Sequence, residues 1–186
     1  MSSWSKKRSI MRRYDVTAHL YDVRYAEEQL AKINAALKKL KIVRNGMALD
    51  AGCGTGLLFK YVADRAKATI GLDISRKTLQ LAKTRAKEYS NVHLIMADAD
   101  HIPLRDKLFD NVFAFTLIQN MPNPVKTLNE LNRVTKEKAT VVITGLKKTF
   151  ALKSFQKLLQ NANLKVVAFE NKGLQCHVAV CTKLVH

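Results

Sequence analysis

Seven short apolar runs recur between residue 47 and the end of the chain, interleaved with amphipathic stretches. That alternation constrains the fold more than any other feature. The runs are MALDA, ATIGLD, NVHLIMAD, DNVFAFTL, TVVITGL, LKVVAFE and QCHVAVCTKL. Among them lie LLFKYVADRA, SRKTLQLAKTRAKEY, VKTLNELNRV and FALKSFQKLLQNA, whose apolar residues return at helical spacing. Strands that alternate with helices connect through right-handed crossovers, which gives a mainly parallel sheet covered on both faces. The last two runs are separated only by a turn around Asn171, Lys172 and Gly173, so they form a hairpin and the final strand runs antiparallel. Ser75 is placed to cap one helix, and Asn123, followed by Pro124 at the first helical position, to cap another.

In such a sheet a ligand sits at the carboxyl ends of the strands, near the point where strand order reverses. The first strand leads there into LDAGCGTG, residues 49–56. Gly52, Gly54 and Gly56 give a G-x-G-x-G spacing, unlike the G-x-G-x-x-G of dinucleotide sites, and no Gly-Lys-Ser/Thr follows as in a phosphate loop. Three acids surround this loop. Asp50 precedes it, Asp73 ends the second strand 17 residues beyond Gly56, and Asp98 ends the third. Asp73 is placed to accept both ribose hydroxyls, Asp98 to read an adenine amino group, and Asp50 to orient the loop or meet a cation. Three carboxylates disfavour a pyrophosphate and suit a ligand with ammonium and sulfonium charges.

These motifs resemble those of class I S-adenosylmethionine-dependent methyltransferases, nearest to the group of ubiquinone- and menaquinone-biosynthesis enzymes. A small archaeal-type RNA methyltransferase is the narrower alternative. LDAGCGTG resembles the family's first motif and GLDIS its second. ADADHIPLRDKLFDNVFAFTLIQNMPNPVKTLNELNRV resembles the stretch over its third and fourth strands and the next helix. The resemblance runs over about residues 47–146. It implies a Rossmann-like, doubly wound α/β fold of seven strands with the last inserted antiparallel, and S-adenosylmethionine as cofactor. Gly52, Cys53, Gly54, Thr55 and Gly56 would approach its methionine part, Asp73 with Ile74 its ribose, and Asp98 with Ala99 its adenine. Thr116, after the fourth strand, would face the transferring methyl. The family's Pro-Gly-Gly turn before its fifth strand is replaced here by Thr135-Lys136-Glu137-Lys138-Ala139.

Charge is the unusual bulk property. Lys and Arg number 32 against 15 Asp and Glu, a net +17. A thermophile's ion-pair networks would raise both signs together, so an excess of this size points to a polyanionic partner, nucleic acid before an anionic membrane or an acidic protein. The first 44 residues hold 11 of the bases and 4 of the acids. They read as a basic arm, MSSWSKKRSIMRR, followed by helical segments that cap the site; residues 45–186 form the catalytic unit. Lys6, Lys7, Arg8, Arg12 and Arg13 are the expected phosphate contacts. The three cysteines and five scattered histidines show no metal-ligand spacing, so no metal is expected. No apolar run approaches the roughly 20 residues of a membrane span, and the basic N-terminus lacks a following apolar region, so a cytoplasmic protein is expected.

Methyl transfer from a sulfonium needs positioning of the acceptor more than a strong base, and no base stands out. The candidate acceptor-facing residues are Thr116, Gln119 and Asn120 after the fourth strand, with Tyr21 and Tyr25 of a Tyr14-Tyr21-Tyr25 series placed to close over the cofactor or stack on a flipped base. The leading expectation is methylation of a base nitrogen, an exocyclic amine included, in structured RNA, ribosomal before transfer RNA, with or without a protein activator. The alternative is a small, quinone-type acceptor, and a third reading is a non-catalytic cofactor-binding subunit on RNA.

Overall fold

The computed structural model describes residues 3–184. Its helices are α1 (Ser3–Leu37), α2 (Phe59–Val62), α3 (Arg76–Ala86), α4 (Pro124–Val134) and α5 (Leu152–Asn161). Its strands are β1 (Met47–Ala51), β2 (Ala68–Asp73), β3 (Val92–Met96), β4 (Phe109–Ala114), β5 (Thr135–Leu146), β6 (Leu164–Glu170) and β7 (Cys176–Lys183). One sheet of order β3-β2-β1-β4-β5-β7-β6 results, with β7 antiparallel to both β5 and β6. The chain winds outward from β1 to β3 and then returns to β4 on the other side of β1. Strand order therefore reverses between β1 and β4, and a crevice opens at their carboxyl ends.

Two-residue periodicity sorts the strand side chains between two layers. Val112 and Ala114 of β4, Val141 and Ile143 of β5, and Ala179 and Cys181 of β7 face one way, against Leu128 and Leu131 of α4 and Phe155 and Leu159 of α5. Phe113, Val142, Val178 and Val180 face the other way, against Ile33 and Ala36 of α1 and Val62 of α2. Ser75 caps α3 by accepting from the Thr78 N–H, and Asn123 caps α4 by accepting from Lys126. Gly173 (φ 68°) turns the β6–β7 hairpin, while Glu170 Oε1 accepts the N–H groups of Asn171 and Lys172.

Three local expectations are corrected. The N-terminal segment is one 35-residue helix, roughly 52 Å long, rather than an arm followed by shorter helices. It contains neither Gly nor Pro, and it is fixed along its length. The stretch LLFKYVADRA supplies only the four helical residues of α2 before dissolving into turns. β5 begins at Thr135, five residues before TVVITGL, because α4 passes into it without a separate turn. Lys138 there takes a left-handed φ of 61°, and the β4–β5 register shifts between Phe109 and Asn111. No helix among the described residues is long and apolar enough to cross a membrane.

Candidate active site

α1 lies across the carboxyl ends of the strands and roofs the crevice. At its start, Lys7 Nζ reaches the loop after β3, bonding Asp98 at 2.6 Å and also Asp100. Asp15 then accepts the Ser75 hydroxyl (2.6 Å) and the Lys77 N–H beyond β2. Asp22 accepts the Thr55 hydroxyl (2.7 Å) in the glycine loop and pairs with Arg85 (2.6 Å) of α3. Finally, Gln29 and Lys32 meet the Thr116 hydroxyl at 3.0 and 2.7 Å. Each of these strand ends is thus tied to the helix above it.

Three cavities lie under and beside this roof. The first, about 710 Å³ with its open mouth included, is lined by Gly52, Gly54, Asp73, Ile74, Asp98, Ala99 and Thr116, with Tyr14 and Tyr21 above. A second, of about 350 Å³, contains Asp50, Cys53 and Thr55. The third, about 1260 Å³ and wider, holds Thr116, Gln119, Asn120, Tyr21 and Tyr25. Tyr21 borders all three, and Thr116 borders the first and third. The three tyrosines make a continuous wall, with ring centroids 6.0 Å apart for Tyr14–Tyr21 and 5.2 Å for Tyr21–Tyr25. Burial pushes both the Tyr14 and the Tyr21 hydroxyl above the usual phenol range, so they stay neutral; they accept from Asn120 and Gln29 respectively.

The carboxylates differ in state. Asp73 accepts the N–H of Gly54 at 2.9 Å and of Ser75 at 2.8 Å; burial nevertheless raises its pKa against those bonds. Asp50 is 3% exposed. Burial, reinforced by the Asp73 charge, pushes its pKa up to about 8, so it holds a proton at neutral pH until a cation enters. Burial also raises the Cys53 thiol. Thr116 sits in left-handed backbone (φ 58°), a strain of about 1–2 kcal/mol for a residue with a Cβ. Its N–H donates to Thr144 Oγ1 (2.8 Å) and its carbonyl accepts from Asn120 (2.8 Å), which hold it there.

Several candidate residues occupy other roles. Lys7, expected on phosphate, is 7% exposed and bound to the two acids after β3, whose charge holds its pKa up against burial. Only a helical N-terminus places it there. Lys6, Arg8 and Arg12 are exposed on α1. Arg13 lies 5.1 Å over the Tyr14 ring and donates to Asn120 Oδ1 (3.1 Å). Asn120 Nδ2 donates to the Tyr14 hydroxyl (3.0 Å), so the amide expected to hold an acceptor instead ties α1 to the segment after β4. Gly56 (φ 81°) borders no cavity; a Cβ there would collide with the Phe59 ring, so it permits close packing rather than ligand approach.

The residues that sequence reasoning missed are Glu28, Gln29, Lys32 and Cys176. Lys32 is fully buried, with Glu28 at 2.9 Å. The buried face at this end of α1 is Gln29, Lys32, Ile33 and Ala36. Two polar residues in register with Ile33 and Ala36 were the available signal.

Residues 49–143 match a family described as "Methyltransferase domain". The chain is 34% identical over 148 residues to the malonyl-[acyl-carrier protein] O-methyltransferase of Marinomonas sp. (strain MWYL1), covering 78% of this chain and 54% of that one. The chain belongs to this methyltransferase family. It is also 31% identical over 109 residues to the demethylmenaquinone methyltransferase of Staphylococcus saprophyticus, covering 57% and 47%. This methyltransferase thus spans about half the length of these curated relatives. A solved S-adenosylmethionine-dependent methyltransferase from Aquifex aeolicus shares the fold, with a TM-score of 0.75 at 19% identity, covering 95% of this chain and 98% of that one.

The site fits the family's cofactor, S-adenosylmethionine. Nothing lies within 4 Å of where a Cβ on Gly54 (φ 53°) would point, so the loop leaves a cradle at the cavity wall. The buried Asp50 offers a carboxylate whose ionisation an ammonium would restore, and Asp73 offers oxygen lone pairs to a ribose. When bound there, the cofactor supplies an electrophilic methyl. The protein supplies the cradle, a roof that excludes water, and the neutral tyrosine wall.

Proposed function

We propose that this methyltransferase acts on a base nitrogen of structured RNA, ribosomal RNA before transfer RNA. The supporting observation is where its charge lies. Of 32 basic side chains, 26 are exposed and two are buried, and only seven form ion pairs among the described residues. The fold therefore leaves most of the +17 on its surface, available to phosphates. Arg13, Arg24 and Lys148 rim the third cavity, whose wall carries Tyr21 and Tyr25, a setting suited to a flipped base with its phosphate outside. The Gln119 side chain borders the same cavity, and its buried Oε1 has no partner among the described residues.

A small planar acceptor is the second reading. The roofed third cavity favours it, as do the relatives, which are named for an acyl-carrier-bound malonyl group and for a quinone precursor. The two readings separate on one experiment. Ribosomal subunits and a metabolite extract from a strain lacking the gene are each incubated with methyl-labelled S-adenosylmethionine. Label in the RNA supports the first reading, and label confined to the metabolite pool replaces it with the second.

A further inference from the structure

Glu28 is the one acidic residue among the described residues bordering the third cavity. Its side chain is 31% exposed, and it is anchored from behind on two sides. Lys32, one turn along α1, donates to Oε2 at 2.9 Å, and the Cys176 thiol of β7 approaches Oε1 at 3.6 Å. Lys32 itself is fully buried; its remaining contacts are the Thr116 hydroxyl at 2.7 Å and Cys176 Sγ at 3.9 Å. An aliphatic side chain would fill the space between α1 and β7 without the cost of burying an ammonium. The lysine instead fixes one carboxylate next to Thr116, one of the residues shared by the cofactor and acceptor cavities. Glu28 and Gln119 both line this cavity, and a carboxylate there is an acceptor for an N–H of an amino substituent.

We propose that Glu28 binds the acceptor's amino group and takes the proton it must lose, with Lys32 as the positioning residue. This rests on the reading that the acceptor atom is nitrogen. The nitrogen lone pair forms the new bond to the methyl carbon while the carbon–sulfur pair returns to sulfur, leaving a positive nitrogen. One N–H bond then breaks; its electron pair returns to nitrogen and the proton passes to a Glu28 oxygen, which later releases it to solvent through the open cavity. The charged groups lining the cavity with Glu28 are Arg13, Arg24 and Lys32 on its own helix and Lys148 after β5, with the Cys176 thiol of β7 beside it.

The test uses Glu28→Gln, Glu28→Asp and Lys32→Met in the two labelled pools described above. The labelled pool decides the acceptor class, and the variant-to-wild-type ratio within it decides the role of Glu28. Glu28→Gln is expected to slow transfer about 10²-fold or more, with partial recovery in Glu28→Asp. Its pH profile should differ from that of wild type. Affinity for S-adenosylhomocysteine, measured by calorimetry, should stay within about twofold, because Glu28 borders neither cofactor cavity. Lys32→Met should fold, bind S-adenosylhomocysteine and show an altered pH profile. Glu28→Gln transferring within about threefold of wild type, or losing cofactor affinity in step with transfer, overturns the proposal. So does a methyl recovered on oxygen or carbon.

Discussion

Replacing Asp50 with asparagine removes an ionisable group from the floor of the cofactor site while keeping its shape. In the folded, ligand-free protein the Asp50 pKa is about 8, whereas an unfolded chain ionises it near 3.8. Between those values the folded state holds a proton that the unfolded state has lost. Stability therefore falls as pH rises through that window, by about 1.4 kcal/mol per unit, and is unaffected by this group below it. At pH 7 the accumulated cost is on the order of 4 kcal/mol, and Asp50→Asn relieves it. Denaturant unfolding of both proteins from pH 4 to 8, without ligand, should give curves that coincide near pH 4 and separate steadily above it. The variant should be the more stable at pH 7, yet bind S-adenosylhomocysteine at least tenfold more weakly. Wild type should release close to one proton on binding at pH 7, measured by calorimetry in buffers of different ionisation enthalpy. Parallel pH–stability curves for the two proteins would refute a buried, protonated Asp50.

Gly54→Ala, with open space in front of its Cβ but a φ of 53°, should lose only about 1–2 kcal/mol of stability while cofactor affinity falls at least tenfold. Gly56→Ala should do the reverse, losing more stability by driving a Cβ into Phe59, as thermal melts and calorimetry on the same samples would show. Lys7→Met strips Asp98 and the 4%-exposed Asp100 of their cation and should destabilise by about 3–5 kcal/mol, read by denaturant unfolding. RNA affinity should drop about 10³- to 10⁵-fold between 50 and 200 mM salt if 6–10 phosphates are contacted, while S-adenosylhomocysteine affinity hardly changes.

The parts legible in the sequence were those governed by local pattern. Apolar runs located all seven strands; the signature is least interrupted in β1, β4 and β7, which are buried on both faces. Gly52 and Gly54 stood out because left-handed backbone at a strand end favours glycine, and Asp73 because it ends the second strand beside them. Lys7 was misplaced because an exposed basic arm and a buried ion pair begin from the same residues; the difference lies in Asp98 and Asp100, some ninety positions away. Glu28 and Lys32 resembled an ordinary solvent-facing pair one turn apart, and only the arrival of β7 and Thr116 buries the lysine. Asn120 borders the cavities, but its partners Arg13 and Tyr14 lie on a helix whose docking no local spacing encodes.

Nucleoside mass spectrometry on ribosomal and transfer RNA, from cells with and without the gene, tests the proposed methyl on a base nitrogen of structured RNA most directly. One N-methylated nucleoside should disappear from the ribosomal RNA of the deletion strain and return on complementation with wild type but not with Asp73→Ala. An unchanged set of methylated nucleosides in both RNA fractions would contradict it.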